Sequence, residues 1–297
     1  MEIKLDQLIT PFDLRHTLEC GQVFRWERLN GWWYCIVREK VIKIRHVGDE
    51  LQFQSSHEKI DIDFIQNYFR LDDNLPSILS EISKDDHIRR AISRLYGLRI
   101  TRQEPWECLI SYICATYKNI PAIKGMINNL CRQFGRKITF DGYSFYTFPK
   151  PSDLAEASIE DIRKCKLGFR AKRVLAASKI INNGKLDFEA LRRVEYEKAK
   201  LELLELPGVG HKVADCVLLF SLDKLQAFPV DVWMKKSILE FYPQFFDQLF
   251  VENTSKKSSI SHREYMRFSN FGKKYFGSYA GYAQEYLFHW KRLEQEI

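Results

Sequence analysis

The chain has 297 residues, enough for two domains or one large one with an ample core. Its 45% hydrophobic and 29% charged residues are ordinary for a soluble globular protein and exclude a disordered or low-complexity chain. Lysine plus arginine (46) exceeds aspartate plus glutamate (39), a net charge of +7 that suits a polyanionic partner without requiring one.

The first residues, Met1 to Asp6, lack the apolar stretch of a signal peptide. No apolar run approaches the ~20 residues needed to span a bilayer, so no membrane association is expected. Seven cysteines (Cys20, Cys35, Cys108, Cys114, Cys131, Cys165 and Cys216) show no CxxC spacing. That usage points to reduced thiols in an intracellular, cytoplasmic setting, at the nucleoid in a prokaryote, rather than to disulfides or zinc.

Up to about residue 65 the chain reads as strands. Trp32 to Val37 is aromatic and β-branched, and Ile42 to Arg45 and Leu51 to Gln54 alternate apolar with polar. Gly48-Asp49 marks the turn between the last two, and the alternation predicts an antiparallel sheet with one wet face. Helical spacing starts near Asp63 with Phe64, Tyr68 and Phe69, and the polar stretch Asp72 to Pro76 interrupts it. Beyond about residue 85 helix follows helix. Trp106, Leu109, Ile110 and Ile113 line one face after Pro105, and Ile120, Ile123, Ile127, Leu130 and Phe134 line another around Pro121. Ser158 to Asp161 has capping-box spacing. A helix from about Ala171 to Ile181 stops at Asn182-Asn183-Gly184, and Thr254 to Ser259 reads as a loose surface loop. The expected class is α+β: a small N-terminal antiparallel β domain over about 1–95, then a larger all-α domain over about 96–297.

The most informative segment is Leu206-Pro207-Gly208-Val209-Gly210-His211-Lys212, followed by Phe228-Pro229-Val230-Asp231. Gly208 and Gly210 allow a sharp turn and close approach, and the helix from about His211 to Leu222 then begins with unpaired amides and a positive dipole end. Such a terminus is a ready site for a phosphate. Lys212 stands in that first turn, where the dipole and partial burial both disfavour an ammonium and favour the nucleophilic amine. Asp231 suits the N-cap of a helix starting at Val232-Trp233-Met234; it also suits a carboxylate that stabilises a cationic sugar or takes a proton from the lysine.

Leu206 to Asp231 resembles the helix-hairpin-helix, Gly/Pro-rich loop and aspartate signature of the base-excision DNA glycosylases, with the hairpin at about 197–222. Within that superfamily the chain is similar to the eukaryotic-type 8-oxoguanine DNA glycosylase/AP lyase family. Gly21 to Trp26, Glu107 to Cys114, Leu167 to Ala171 and Tyr279 to Gln284 carry the similarity in order and spacing. The resemblance implies a bifunctional enzyme of base excision repair that acts as a monomer on duplex DNA containing 8-oxoguanine, with no metal and no organic cofactor. Lys212 would attack the sugar and form a Schiff base, with Asp231 stabilising developing positive charge. Cys216 and Phe288 would sandwich the flipped base, Gln284 would read its Watson–Crick edge, and the Gly21 carbonyl would meet the N7–H that oxidation creates. Core packing is the ordinary fate of a cysteine and a phenylalanine at such positions, and Gly21 alone would be a turn glycine.

The same resemblance implies DNA contacts at Gly208, Gly210, His211, Tyr117, Lys118, Asn119, Phe169 and Arg170. Two positions depart from the family: Tyr117-Lys118-Asn119 stands where three asparagines are typical, and Ala122 where metazoan members have an arginine that helps read the orphaned cytosine. A relaxed opposite-base preference is the expectation. Trp233 occupies a place where many relatives carry histidine, and is expected near the base. The alternatives are another glycosylase of the superfamily and a non-catalytic DNA-binding module. The first often needs four cysteines near its C-terminus, and none follows Cys216; the second needs neither Lys212 nor Asp231.

Overall fold

The computed structural model describes residues 2–4, 11–57 and 61–295. The N-terminal part contains β1 (Glu2–Lys4), α1 (Leu14–Glu19), β2 (Glu27–Leu29), β3 (Trp32–Val37), β4 (Lys40–Val47), β5 (Glu50–Ser55) and α2 (Ile62–Tyr68). The strands form one antiparallel sheet in the order β1-β5-β4-β3-β2. Alternation sorts their side chains. Cys35, Val37, Ile42, Ile44, Leu51 and Phe53 face one core with Leu14 and Leu18 of α1 and Ile65 of α2. The strand reading missed α1, whose start is set by Asp13 accepting a hydrogen bond from the His16 amide at 2.7 Å. Its extension over residues 5–10 and 58–60 lies outside the described residues.

The rest is α3 (Leu75–Ile82), α4 (Asp86–Arg94), α5 (Pro105–Ala115), α6 (Ile120–Phe134), β6 (Lys137–Phe140), β7 (Tyr143–Tyr146), α7 (Pro151–Ala155), α8 (Ile159–Lys164) and α9 (Arg170–Asn182). Then come α10 (Phe188–Arg193), α11 (Tyr196–Leu204), α12 (His211–Ser221), α13 (Val232–Phe241), α14 (Gln248–Ser255), α15 (His262–Phe276) and α16 (Ala280–Gln295). Ser158 caps α8, accepting from the Asp161 amide at 3.1 Å while its hydroxyl donates to the Asp161 carboxylate. The expected loop at Thr254 to Ser259 begins as helix, since α14 runs to Ser255. Thr254 is buried at the end of α14, and the carbonyls of Lys257 and Ser259 hold the Lys235 ammonium at 2.6 and 3.0 Å.

The expected class holds, an antiparallel sheet followed by a helical domain. Within the helical part the structure adds a hairpin of β6 and β7 across the two-residue turn Asp141-Gly142, both at positive φ (54° and 78°). The outer face of the sheet is wet only in part: Gln54 of β5 is exposed, whereas β3 and the start of β4 are covered. Ile138, Phe140, Tyr143 and Phe145 of the hairpin cover Tyr34, Ile36 and Val41, with Tyr34 stacked on Phe145 at 5.6 Å. Asp141 accepts from the Tyr34 hydroxyl and the Lys43 ammonium at 2.6 and 2.7 Å, so the turn itself is tied to the sheet. Among the described residues no helix is long and apolar enough to cross a membrane.

The large helical core takes in Cys20 and Phe24 and then the helices from Leu75 onward, and α16 runs through it against α3, α4 and α13. Gly281 lets the start of α16 meet the end of α12. A Cβ there would lie 2.2 Å from the Leu219 side chain and 2.9 Å from the carbonyls of Leu225 and Ala227. Gly281→Ala is therefore expected to destabilise the protein by about 1–3 kcal/mol, as overpacking does. Urea unfolding measures this, and an unchanged midpoint would show that the two helices have room to part.

Candidate active site

Lys212 is the second residue of α12. No side chain caps that helix, and its N-cap Gly210 leaves the amino end open toward the surface. Gly208 turns the hairpin at φ +89°, and a Cβ there would lie 2.7 Å from the Arg173 side chain. The helix is held from behind by Asp215, which is fully buried. Its carboxylate accepts from the Tyr196 hydroxyl at 2.6 Å, the Lys200 ammonium at 2.8 Å and the Tyr265 hydroxyl. Those partners stand on α11 and α15, so one carboxylate fastens both hairpin helices and α15 together.

The exposed side of α12 opens into a cleft of about 340 Å³. Six of the residues expected at the site line it: Gly21, Lys212, Cys216, Asp231, Gln284 and Phe288. They come from the α1–β2 loop, α12, the start of α13 and α16. Asp231 caps α13, its Oδ1 accepting from the amides of Trp233 and Met234 at 2.9 and 2.8 Å. The cap fixes one carboxylate oxygen of a residue that also lines the cleft. Desolvation weakens Asp231 as an acid, raising its pKa above the ordinary carboxylate value against the pull of Lys212 and the capping amides. Burial pushes the Cys216 thiol up to about 12, so it stays a neutral thiol at neutral pH. Gln284 is 5% exposed, and its side-chain oxygen has no hydrogen-bond partner within the protein.

The structure adds Tyr112, Phe220, Pro229 and Glu285 to the lining. The Lys212 ammonium stands 4.7 Å from the Tyr112 ring centroid, and that ring stacks on Phe220 at 5.6 Å. Tyr112 was inside a recognised segment, but nothing in the sequence aims it at the lysine. Glu285 left a signal, an acid within the apolar run of α16, since a buried carboxyl needs a reason.

The other expected residues scatter. The Trp233 side chain is not among the cleft residues; it lies against Lys236, whose ammonium is 5.5 Å from its ring centroid. Tyr117 (86% exposed, φ 55°) and Phe169 (53%) project from the surface, with Lys118 and Asn119 exposed beside Tyr117. Asn119 uses its oxygen to cap α6, accepting from the Ala122 amide at 3.1 Å. Arg170 is buried instead of presented, donating to the Thr116 and Leu167 carbonyls. His211 packs on His262 (4.5 Å between ring centroids) and Tyr265 (5.7 Å). A second cleft, walled by the Arg25–Glu107 ion pair beneath the sheet, contains none of the expected residues.

With this geometry established, comparison with known proteins is decisive. Residues 4–109 match the model of the 8-oxoguanine DNA glycosylase N-terminal domain, and residues 110–244 match that of the HhH-GPD superfamily base excision DNA repair proteins. A probable N-glycosylase/DNA lyase of Methanothermobacter thermautotrophicus is 31% identical over 70% of this chain and 68% of its own length. The chain belongs to the 8-oxoguanine DNA glycosylase family. The N-glycosylase/DNA lyase of Saccharomyces cerevisiae is 29% identical over 93% of this chain and 82% of its own. The fold is similar to that of the Clostridium acetobutylicum 8-oxoguanine glycosylase/lyase, solved with duplex DNA bearing cytosine opposite 8-oxoguanine. The TM-score is 0.86 at 34% identity, covering 97% of this chain and 94% of that one.

Glu285 carries a pH signature. Burial pushes its carboxyl up to about 7, and Asp231 adds to the rise; contact with the Cys20 thiol and the charges of Arg292 and Lys212 oppose it. The unfolded chain ionises this group near 4.5, so between about 4.5 and 7 the native state binds the extra proton and stability falls as pH rises. Above about 7 the loss is complete. Glu285→Gln should therefore match the wild type below pH 4.5 and exceed it above pH 7 by up to about 3 kcal/mol. Unfolding midpoints across this range test it, and a pH-independent difference between the two proteins would disprove it.

Proposed function

We propose that this protein is a bifunctional DNA glycosylase/AP lyase that removes 8-oxoguanine from duplex DNA. The observation that carries the reading is the meeting of Lys212 and Asp231 with Gly21, Cys216, Gln284 and Phe288 in one cleft. The open amino end of α12 and the Gly208–Gly210 turn take a DNA phosphate, which anchors the duplex without reading sequence. The damaged nucleotide turns out of the stack into the cleft, as chemistry on a base requires. There Cys216 and Phe288 grip its faces, and the orphan oxygen of Gln284 accepts from its Watson–Crick edge. The Gly21 carbonyl accepts from the N7–H of the lesion and faces a lone pair in guanine. One such contact is worth about 1–3 kcal/mol, so discrimination also draws on the unstacking step.

In the reaction the Lys212 amine bonds to C1′ as the glycosidic bond breaks and the base leaves with its electron pair. Asp231 stabilises the cationic sugar in the transition state and accepts a proton from the lysine. Sugar ring opening gives a Schiff base. Loss of a C2′ proton then expels the 3′ phosphate, and hydrolysis returns the amine. The protein acts as a monomer, with Tyr117 and Phe169 as wedges at the gap left by the flipped base.

Borohydride should trap the wild type covalently on duplex containing 8-oxoguanine. Lys212→Gln should give no adduct and excise the base roughly a thousandfold more slowly, and Asp231→Asn about a hundredfold more slowly. No adduct with the wild type would refute the lyase assignment, and an undiminished adduct with Lys212→Gln would remove Lys212 as the attacking amine. Ala122 carries no guanidinium, and Arg170 has its donors on protein carbonyls, so cytosine opposite the lesion should be preferred only weakly. Excision rates against all four opposite bases test this; a preference for cytosine above about a hundredfold contradicts it.

A further inference from the structure

We infer that Arg292, outside the cleft, is a positioning residue for lesion recognition because it clamps the peptide segment from which Gly21 presents its carbonyl. The inference rests on the proposed role of Gly21 and adds the residue that holds it. Gly21 sits at φ +104°, a conformation that other residues rarely adopt, and it follows directly on the end of α1. The last carbonyls of a helix have no partner within it. Arg292 supplies one to each of two neighbours: its Nη1 donates to the Cys20 carbonyl at 2.9 Å and its Nη2 to the Glu19 carbonyl. A guanidinium also suits the negative end of the helix dipole. The contact is close enough that a Cβ on Gly21 would lie 2.9 Å from that Nη1.

On the far side of Gly21 the chain is fixed independently. Gln22 is buried, with its side chain bonded to Thr17, Arg99 and Thr101 and its carbonyl taken by Gln103 and Tyr112. Gly21 is thus the single flexible link between two clamps, and Arg292 is one of them. Its origin matters as well. Gln284, Phe288 and Arg292 follow one another at four-residue steps on α16, and the guanidinium lies 5.9 Å from the Phe288 ring centroid. One rigid helix therefore positions the reading amide, the stacking ring and the strap on the carbonyl loop. A lysine lacks the rigid planar fork and would hold the two carbonyls less firmly.

Binding is measured to duplexes carrying 2′-fluorinated, excision-resistant 8-oxoguanine or its 7-deaza analogue, which lacks the N7–H. Wild type should prefer the former at least about tenfold, Arg292→Ala should reduce that preference to about twofold, and Arg292→Lys should fall between. Single-turnover excision of 8-oxoguanine should slow about 10- to 100-fold in Arg292→Ala, while cleavage of a preformed abasic site stays within about threefold. No preference in the wild type would remove the Gly21 reading and this inference with it. A full preference retained in Arg292→Ala, or equal losses on base and abasic substrates, would overturn the inference and leave the Gly21 reading standing. If Arg292→Ala does not fold, the lysine variant carries the same comparison.

Discussion

The geometry of the site depends on one buried carboxylate. Asp215 lies on α12 between Lys212 and Cys216, and it meets Lys200 and two tyrosine hydroxyls out of contact with water. A buried ion pair returns its desolvation cost only when the geometry is good and the remaining lone pairs are filled, as they are here. That demand makes the arrangement specific. The hairpin helices and α15 can pack in one way, so the amino end of α12 has a defined direction. Lys212 stands over Tyr112 because its helix is held from behind.

The opposite wall of the cleft is set by a steric limit. At Gly281 α16 comes closer to α12 than any side chain permits, which brings Gln284, Glu285 and Phe288 within reach of Lys212 and Cys216. Closing the cleft in this way withdraws its ionisable groups from water. Cys216, Asp231 and Glu285 all shift toward their neutral forms, each primarily through desolvation. In such surroundings a charge that forms on a sugar is felt strongly by the one carboxylate oriented by backbone amides, Asp231.

The scattering of the expected DNA-contact residues has a physical basis. Tyr117 and Phe169 are large, apolar and exposed, the usual mark of a surface that meets a partner. Arg170 joins the segments that carry them by binding the Thr116 carbonyl next to Tyr117. A guanidinium so engaged supports the segments that carry the two aromatic residues.

The hairpin, its lysine and the aspartate were legible from local sequence because their roles are local: a glycine turn, an open helix end and an N-cap act within a few residues. Helix spacing around Pro105 and Pro121, and strand alternation from Trp32 to Gln54, were legible for the same reason. The hairpin at Asp141-Gly142 was visible in principle, since an Asp-Gly pair between alternating apolar residues is a strong turn signal, but it lay among helices. The sheet's covered outer face, the depth of Asp215, the lining role of Glu285 and the clamp of Arg292 on Cys20 join residues as many as 272 positions apart. By itself the sequence picked out Lys212 and Asp231 as residue types suited to amine chemistry, because a helix start and an N-cap are local features. Only the tertiary structure decided which residues share a cleft and which are struts, because desolvation, close approach and the pairing of distant polar groups exist only once the chain has packed.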